Sequence, residues 1–150
     1  MNVQGLAQSL GCRLAEPIEK GWSGDRKFLL EDGAGERFVL RLSAKQEEQK
    51  KRREFERVRQ LHAMGLPVSR AVAFGCREDA VYQLLGWVEG SDLRQTLPAL
   101  PEDEQYRLGV QASRVLRKIH TLPLRPGEGK SREEQQQKLL SRLDQYEQGQ

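Results

Sequence analysis

Residues 20–43 read KGWSGDRKFLLEDGAGERFVLRLS, and their pattern gives the strongest local indication of the fold. Residues 27–30 and 37–42 are apolar-rich runs, and the six residues between them include Asp-Gly and a second glycine. These residue types supply the positive φ angles of a tight turn. The stretch therefore predicts a β-hairpin that follows a glycine-containing loop.

A long helix is predicted directly after the hairpin. Ser43 and Gln46 have the spacing of a capping box. The helix should end near Met64, since Gly65 suits a left-handed position after the last turn and Pro67 cannot continue a helix. Its apolar stripe is formed by Phe55, Val58 and Leu61.

Three further segments read as strands, at 15–19 after a short amino-terminal helix, at 71–74 and at 81–85. The result is a sheet of about five strands with one inserted helix. After Gly90 the pattern becomes helical, with an acidic first turn at 102–104. Apolar residues recur at helical spacing at Leu108, Ala112, Val115, Leu116 and Ile119.

A loop rich in Pro and Gly at 121–130 separates this helix from the next one. Ser131 and Glu134 form a second predicted capping box. The helix that follows places Leu139, Leu140, Leu143 and Tyr146 on one face.

The composition is globular but polar, with 37% hydrophobic and 31% charged residues in a chain of 150. A net charge of +3 favours anionic ligands only slightly. Cys12 and Cys76 match no metal spacing and are expected to be reduced. With no leader pattern and no apolar run of membrane length, we expect a cytoplasmic protein.

Four local features have two interpretations each. The glycines at 21 and 24 fit a phosphate-binding turn or an ordinary hairpin loop. Arg41 is an edge arginine or a phosphate-binding cation paired with Glu54. The basic run 50–53 is a solvated helix face or, less well supported, a nucleic-acid surface. Residues 84–90 are a plain linker or a pocket-forming connector.

The order of these elements resembles the amino-terminal part of the aminoglycoside phosphotransferase family, relatives of the protein kinases. The resemblance covers about residues 15–148. It depends on a third-strand motif FVLRLS at 38–43, a helix exit GLPV at 65–68, and LRKIH at 116–120. It implies an α+β fold, with a kinase-like small lobe of about five antiparallel strands and one long helix over 1–90. The first helices of an incomplete large lobe would occupy 91–150.

The resemblance also implies roles for single residues in binding ATP or GTP with Mg²⁺. Gly21, Ser23 and Gly24 would cover the phosphates, and Arg41 would take the place of the family's lysine, with Glu54 as its partner. Gly86 and Val88 would face the adenine edge. The residues packing on the ring would be Ile18, Phe28 and Val39.

The chain departs from the family at the residues that perform catalysis. Neither His62 nor His120 begins a His-Gly-Asp motif, and no second metal-binding aspartate follows. We therefore predict no catalytic or metal-binding residue in it.

Two functions agree with this sequence. The first is phosphotransfer from ATP to an aminoglycoside-type hydroxyl, hence antibiotic resistance, by an enzyme of which this chain is the nucleotide-binding part. The second is a non-catalytic nucleotide-binding or interaction module. No nucleic-acid or membrane partner is expected. Helices lacking their large-lobe neighbours are expected either to self-associate or to leave the carboxyl-terminal third poorly ordered.

Overall fold

The computed structural model describes residues 2–21, 23–77, 79–123 and 132–148, apart from the side chains of residues 15, 132 and 142–148. The amino-terminal helix α1 (Val3–Ser9) precedes strands β1 (Cys12–Pro17), β2 (Arg26–Asp32) and β3 (Arg37–Ala44). One 3-10 turn leads into helix α2 (Glu48–Ala63), and strands β4 (Ala71–Arg77) and β5 (Ala80–Gly86) follow. The remaining helices are α3 (Leu93–Thr96), α4 (Glu102–Ile119) and α5 (Arg132–Gln148).

The described strands form one antiparallel sheet in the order β1-β2-β3-β5-β4. One face packs on α1 and carries the buried core. Its main members are Leu6, Ala7, Cys12, Leu30, Phe38, Leu40, Leu42 and Leu84. Because side chains alternate along a strand, the opposite face carries the residues between these. We call it the α2 face, since the Phe55 ring on α2 lies 5.6 Å from the ring of Phe74 on β4.

The predicted hairpin, the five-stranded sheet and the inserted helix are all confirmed. Gly65 follows α2 with a φ of 71°, as its position after the helix predicted. The capping box at Ser43 is wrong. Ser43 is the seventh residue of β3, its hydroxyl donates to Asp25 instead, and α2 begins only at Glu48 without a side-chain cap.

The chain divides into two compact units, Met1–Gly109 and Val110–Gln150. The division predicted at residue 90 separates a nucleotide-binding small lobe from a helical large lobe. This division by function stays a prediction. In the second unit Leu116, Leu139 and Leu140 are all more than half exposed. Most of the predicted loop at 121–130, Ser131, and the side chains of Leu143 and Tyr146 lie outside the described residues.

Both cysteines carry free thiols, as predicted. Cys12 is buried in the core and Cys76 is half-buried on β4. Among the described helices, none combines the length and the apolar character that a membrane crossing requires.

Candidate functional site

Arg41 lies near the middle of the α2 face. It stands between Lys27 on β2 and Gln83 on β5, which are its direct neighbours across the sheet. The Gln83 side chain donates to the Lys51 carbonyl of α2 at 2.7 Å, so sheet and helix are in contact beside Arg41. Strand alternation therefore directs this arginine under the sheet, toward the helix.

Asp25, at the end of the glycine-containing loop, is the acceptor at the centre of the site. Its side chain is only 3% exposed. It accepts hydrogen bonds from the Arg41 guanidinium, from the Ser43 hydroxyl at 2.8 Å and from Lys51 Nζ at 2.9 and 3.0 Å. Asp25 thus ties the loop to β3 and to α2.

These donors determine the charge state of Asp25. Burial alone would raise the pKa of its carboxyl, because a buried charge loses its hydration. The hydrogen bonds from Lys51, Ser43 and Arg41 outweigh burial and lower the pKa from 3.8 to about 2. Asp25 is therefore an anion near neutral pH and compensates the cations around it.

Arg41 and Glu54 were predicted to face each other within ion-pair reach or through a water, and the described residues form no direct ion pair between them. Arg41 pairs with Asp25, while the Glu54 carboxylate lies 3.5 Å from Lys51 Nζ. Among the described residues, Asp25 and Lys51 form the connection between them. Lys51, one helical turn before Glu54, occupies the space beneath the sheet that Glu54 was expected to fill.

Lys51 also corrects the interpretation of the basic run 50–53 as a solvated face. Lys51 is 4% exposed, whereas its neighbours Lys50 and Arg52 are exposed and pair with Glu47 and Glu48. The sequence contains a signal for this difference, because Lys51 precedes buried Phe55 by four residues and so shares its helix face. Asp25 has no comparable signal.

The glycine-containing loop closes where the Ile18 amide donates to the Lys27 carbonyl at 2.9 Å. Gly21 has a φ of 125°, a value that favours glycine. Ser23 and Gly24 are exposed, and their amides donate to no residue that the structure describes. A cavity of about 500 Å³ adjoins the loop, lined in part by Ser23, Gly24, Ser43 and Lys51.

Two of the three residues predicted to pack on an adenine ring share the α2 face. Val39 precedes Arg41 by two residues on β3, and Ile18 lies opposite Lys27. Phe28 pairs with Leu40 and packs in the core beside α1, so it lies on the other face. An adenine ring that packs on the α2 face cannot also contact Phe28 on the opposite face. The prediction for Phe28 is therefore wrong.

In the predicted connector 84–90, residues 84–86 form the end of β5, and the Gly86 amide donates to the Arg70 carbonyl at 2.8 Å. Val88 is 60% exposed, and its amide makes no hydrogen bond to a described residue. Arg37 holds the connector from both sides of Val88. Its guanidinium lies 5.5 Å from the centre of the Trp87 ring and pairs with Glu89. These two contacts of Arg37 were not predicted from the sequence.

Comparison with solved structures gives the class of fold. A crystal structure of Rad53 residues 1–466 in complex with AMP-PNP matches 74% of this chain with a TM-score of 0.59 and 17% identity. The structure of an aminoglycoside-3'-phosphotransferase of type VIII matches 60% with a TM-score of 0.44 and 25% identity. The chain spans only 30% and 35% of these two proteins. The fold is thus α+β and protein-kinase-like.

A family model narrows the class. The model of the phosphotransferase enzyme family matches residues 15–150, which is most of the chain. No curated protein matches the sequence. The chain belongs to the phosphotransferase enzyme family.

Proposed function

We propose that this chain is the nucleotide-binding part of an ATP-dependent phosphotransferase that acts on a hydroxyl of a small, aminoglycoside-type molecule. The observation that carries the proposal is the environment of Arg41. Its guanidinium lies on the α2 face and pairs with Asp25 of the glycine-containing loop, while the Arg41 side chain stays 27% exposed. A phosphate oxygen at this exposed part would accept charge-assisted hydrogen bonds from the guanidinium.

The surrounding residues fit a nucleoside triphosphate. Gly21, Ser23 and Gly24 would cover the phosphates with amides that donate to no described residue, and Arg41 would bind them from the sheet. Ile18 and Val39 would pack on the adenine, whose edge would meet the Gly86 carbonyl and the Val88 amide. Glu54 would act through Lys51 and Asp25 and not by touching Arg41.

The bound nucleotide would supply the γ-phosphoryl group, and the chain's own residues would bind and orient it. Mg²⁺ is assigned no ligand here, because the described residues include no group of three side chains that could hold a metal. The bound nucleotide would be ATP or GTP. We place the activity, and any role in antibiotic resistance, in the cytoplasm.

A binding experiment tests this proposal. We expect ATP to shift the amide resonances of the glycine loop, Val39 and Val88 in a ¹⁵N-labelled 150-residue chain, with weak affinity. Arg41→Met should weaken ATP binding about tenfold, the value of one charge-assisted contact. Arg13→Met is the control, since Arg13 is 71% exposed on β1 and pairs with Glu31. Absence of ATP binding by the unaltered chain would refute the proposal.

A second experiment concerns transfer. We expect no phosphorylation of an aminoglycoside panel by this chain, because His62 and His120 lie outside any His-Gly-Asp motif. Phosphorylation of any of them would contradict this expectation. An in-frame continuation beyond codon 150 into His-Gly-Asp would favour the enzyme over a non-catalytic nucleotide-binding module.

A further inference from the structure

Lys27 is a second cation beside the glycine loop. It lies directly opposite Arg41 in the β2–β3 register, so both side chains belong to the α2 face. Its Nζ lies 3.3 Å from the Lys20 carbonyl. A Cβ atom on Gly21 would lie only 2.8 Å from Lys27 Nζ. The ammonium group is therefore packed against the turn itself.

The charge of Arg41 is compensated by a carboxylate, whereas among the described residues the charge of Lys27 is not. Arg41 and Lys51 share Asp25, and Lys51 also reaches Glu54, so two cations meet two anions. Lys27 makes no ion pair within the part of the chain that the structure describes. Like charges directly opposite on one face destabilise a sheet, and an anion bound between the loop and the strand would remove that penalty.

Lys27 also has hydrogen-bond donors to offer. An ammonium group carries three N–H bonds, and among the described residues one carbonyl accepts from that of Lys27. The amides of Ser23 and Gly24 in the same loop donate to no described residue. Donors and uncompensated positive charge thus occur together at the turn, on the face where Arg41 lies.

We infer that Lys27 is a second phosphate-contacting residue, which with Arg41 binds the polyphosphate of a nucleoside triphosphate and leaves the nucleoside untouched. This inference rests on the proposed function. It assigns different roles to Arg41 and Lys27. Arg41, held by Asp25, has a fixed position, whereas the flexible Lys27 stem follows the loop as it settles on the phosphates.

The test compares ATP, ADP and adenosine by NMR titration of the labelled chain. Lys27→Met keeps the aliphatic stem and removes the charge, so we expect ATP affinity to fall at least about tenfold. Adenosine affinity should change less than about twofold, and Lys27→Arg should retain most of the ATP affinity. The control is Lys118→Met, a charge removal at an exposed residue in the last turn of α4.

The outcomes separate this inference from the proposal beneath it. ATP binding by the unaltered chain that Lys27→Met leaves unchanged would overturn the role of Lys27 and keep the proposed function. Equal losses of ATP and adenosine affinity would also overturn it, because they would indicate a damaged fold. Absence of all nucleotide binding by the unaltered chain would refute both.

Discussion

At the scale of single residues, Asp25 is the anion on which the candidate site depends. Asp25→Asn keeps its size but leaves Arg41 and buried Lys51 beside each other, with the Glu54 carboxylate 3.5 Å from Lys51 Nζ as their remaining counter-charge. We expect the free energy of unfolding in urea to fall by about 3 kcal/mol, as for other broken buried pairs. Asp103→Asn, which removes an exposed carboxylate paired with Arg107, should cost less than about 0.5 kcal/mol. Similar losses in the two variants would contradict this role.

The low pKa of Asp25 gives a pH dependence with a defined sign. The folded pKa is about 2 and the ordinary value is 3.8. Its contribution is therefore complete above about pH 4 and is lost as the pH falls from 4 toward 2. The whole contribution is on the order of 2 kcal/mol. In urea titrations from pH 6 to pH 2, the stability gap between the unaltered chain and Asp25→Asn should narrow below pH 4. A gap that stays constant would refute the assignment.

Gly21 is the loop residue whose replacement should matter most. An alanine there would bring its Cβ within 2.8 Å of Lys27 Nζ and hold a φ of 125° that side chains disfavour. Strain of this kind costs about 1–3 kcal/mol, so we expect ATP affinity to fall about tenfold. Gly33→Ala, in the β2–β3 turn, is the matched control. Its Cβ would meet nothing within 4 Å, and its ATP affinity should equal that of the unaltered chain.

At the scale of elements, helix α2 is anchored to the sheet by a lysine. Lys51→Met should release the helix from Asp25 while keeping the stem that packs under the sheet. We expect faster amide hydrogen exchange over residues 48–58 and in the loop at 18–25. Lys50→Met alters the neighbouring exposed lysine, which pairs with Glu47, and should leave exchange unchanged. Equal exchange in both variants would show that apolar packing alone holds α2.

The elements themselves were predictable from the sequence because their signals are local. Gly35 in the hairpin turn, with a φ of 82°, and Gly65 after α2 act through φ angles, which depend on the residue in place. The faces of the strands were less predictable. Phe28 and Val39 are both apolar strand residues, and only the β2–β3 register puts them on opposite faces. Asp25 was missed for the same reason, since its three donors come from residues 16 to 26 positions away.

At the scale of the whole molecule, apolar burial is unevenly distributed. Leu30 and Leu40 on the sheet are fully buried, whereas α4 has no buried residue. Leu116 on α4 is 51% exposed, and Leu139 and Leu140 on α5 are 65% and 53% exposed. Each large apolar side chain left in water forgoes part of the roughly 1.5–3 kcal/mol that burial would provide. Association that buries these side chains is therefore favourable.

We accordingly expect the purified chain to self-associate through α4 and α5. Light scattering between micromolar and sub-millimolar concentration should give a mass that rises above the 17.2 kDa of one chain. Leu116→Lys combined with Leu140→Lys should restore the monomer, because charges on this surface oppose its burial. Leu93→Lys is the control, since Leu93 is 49% exposed and lies on α3. A monodisperse monomer whose α4 and α5 amides exchange slowly would show that the two helices need no partner.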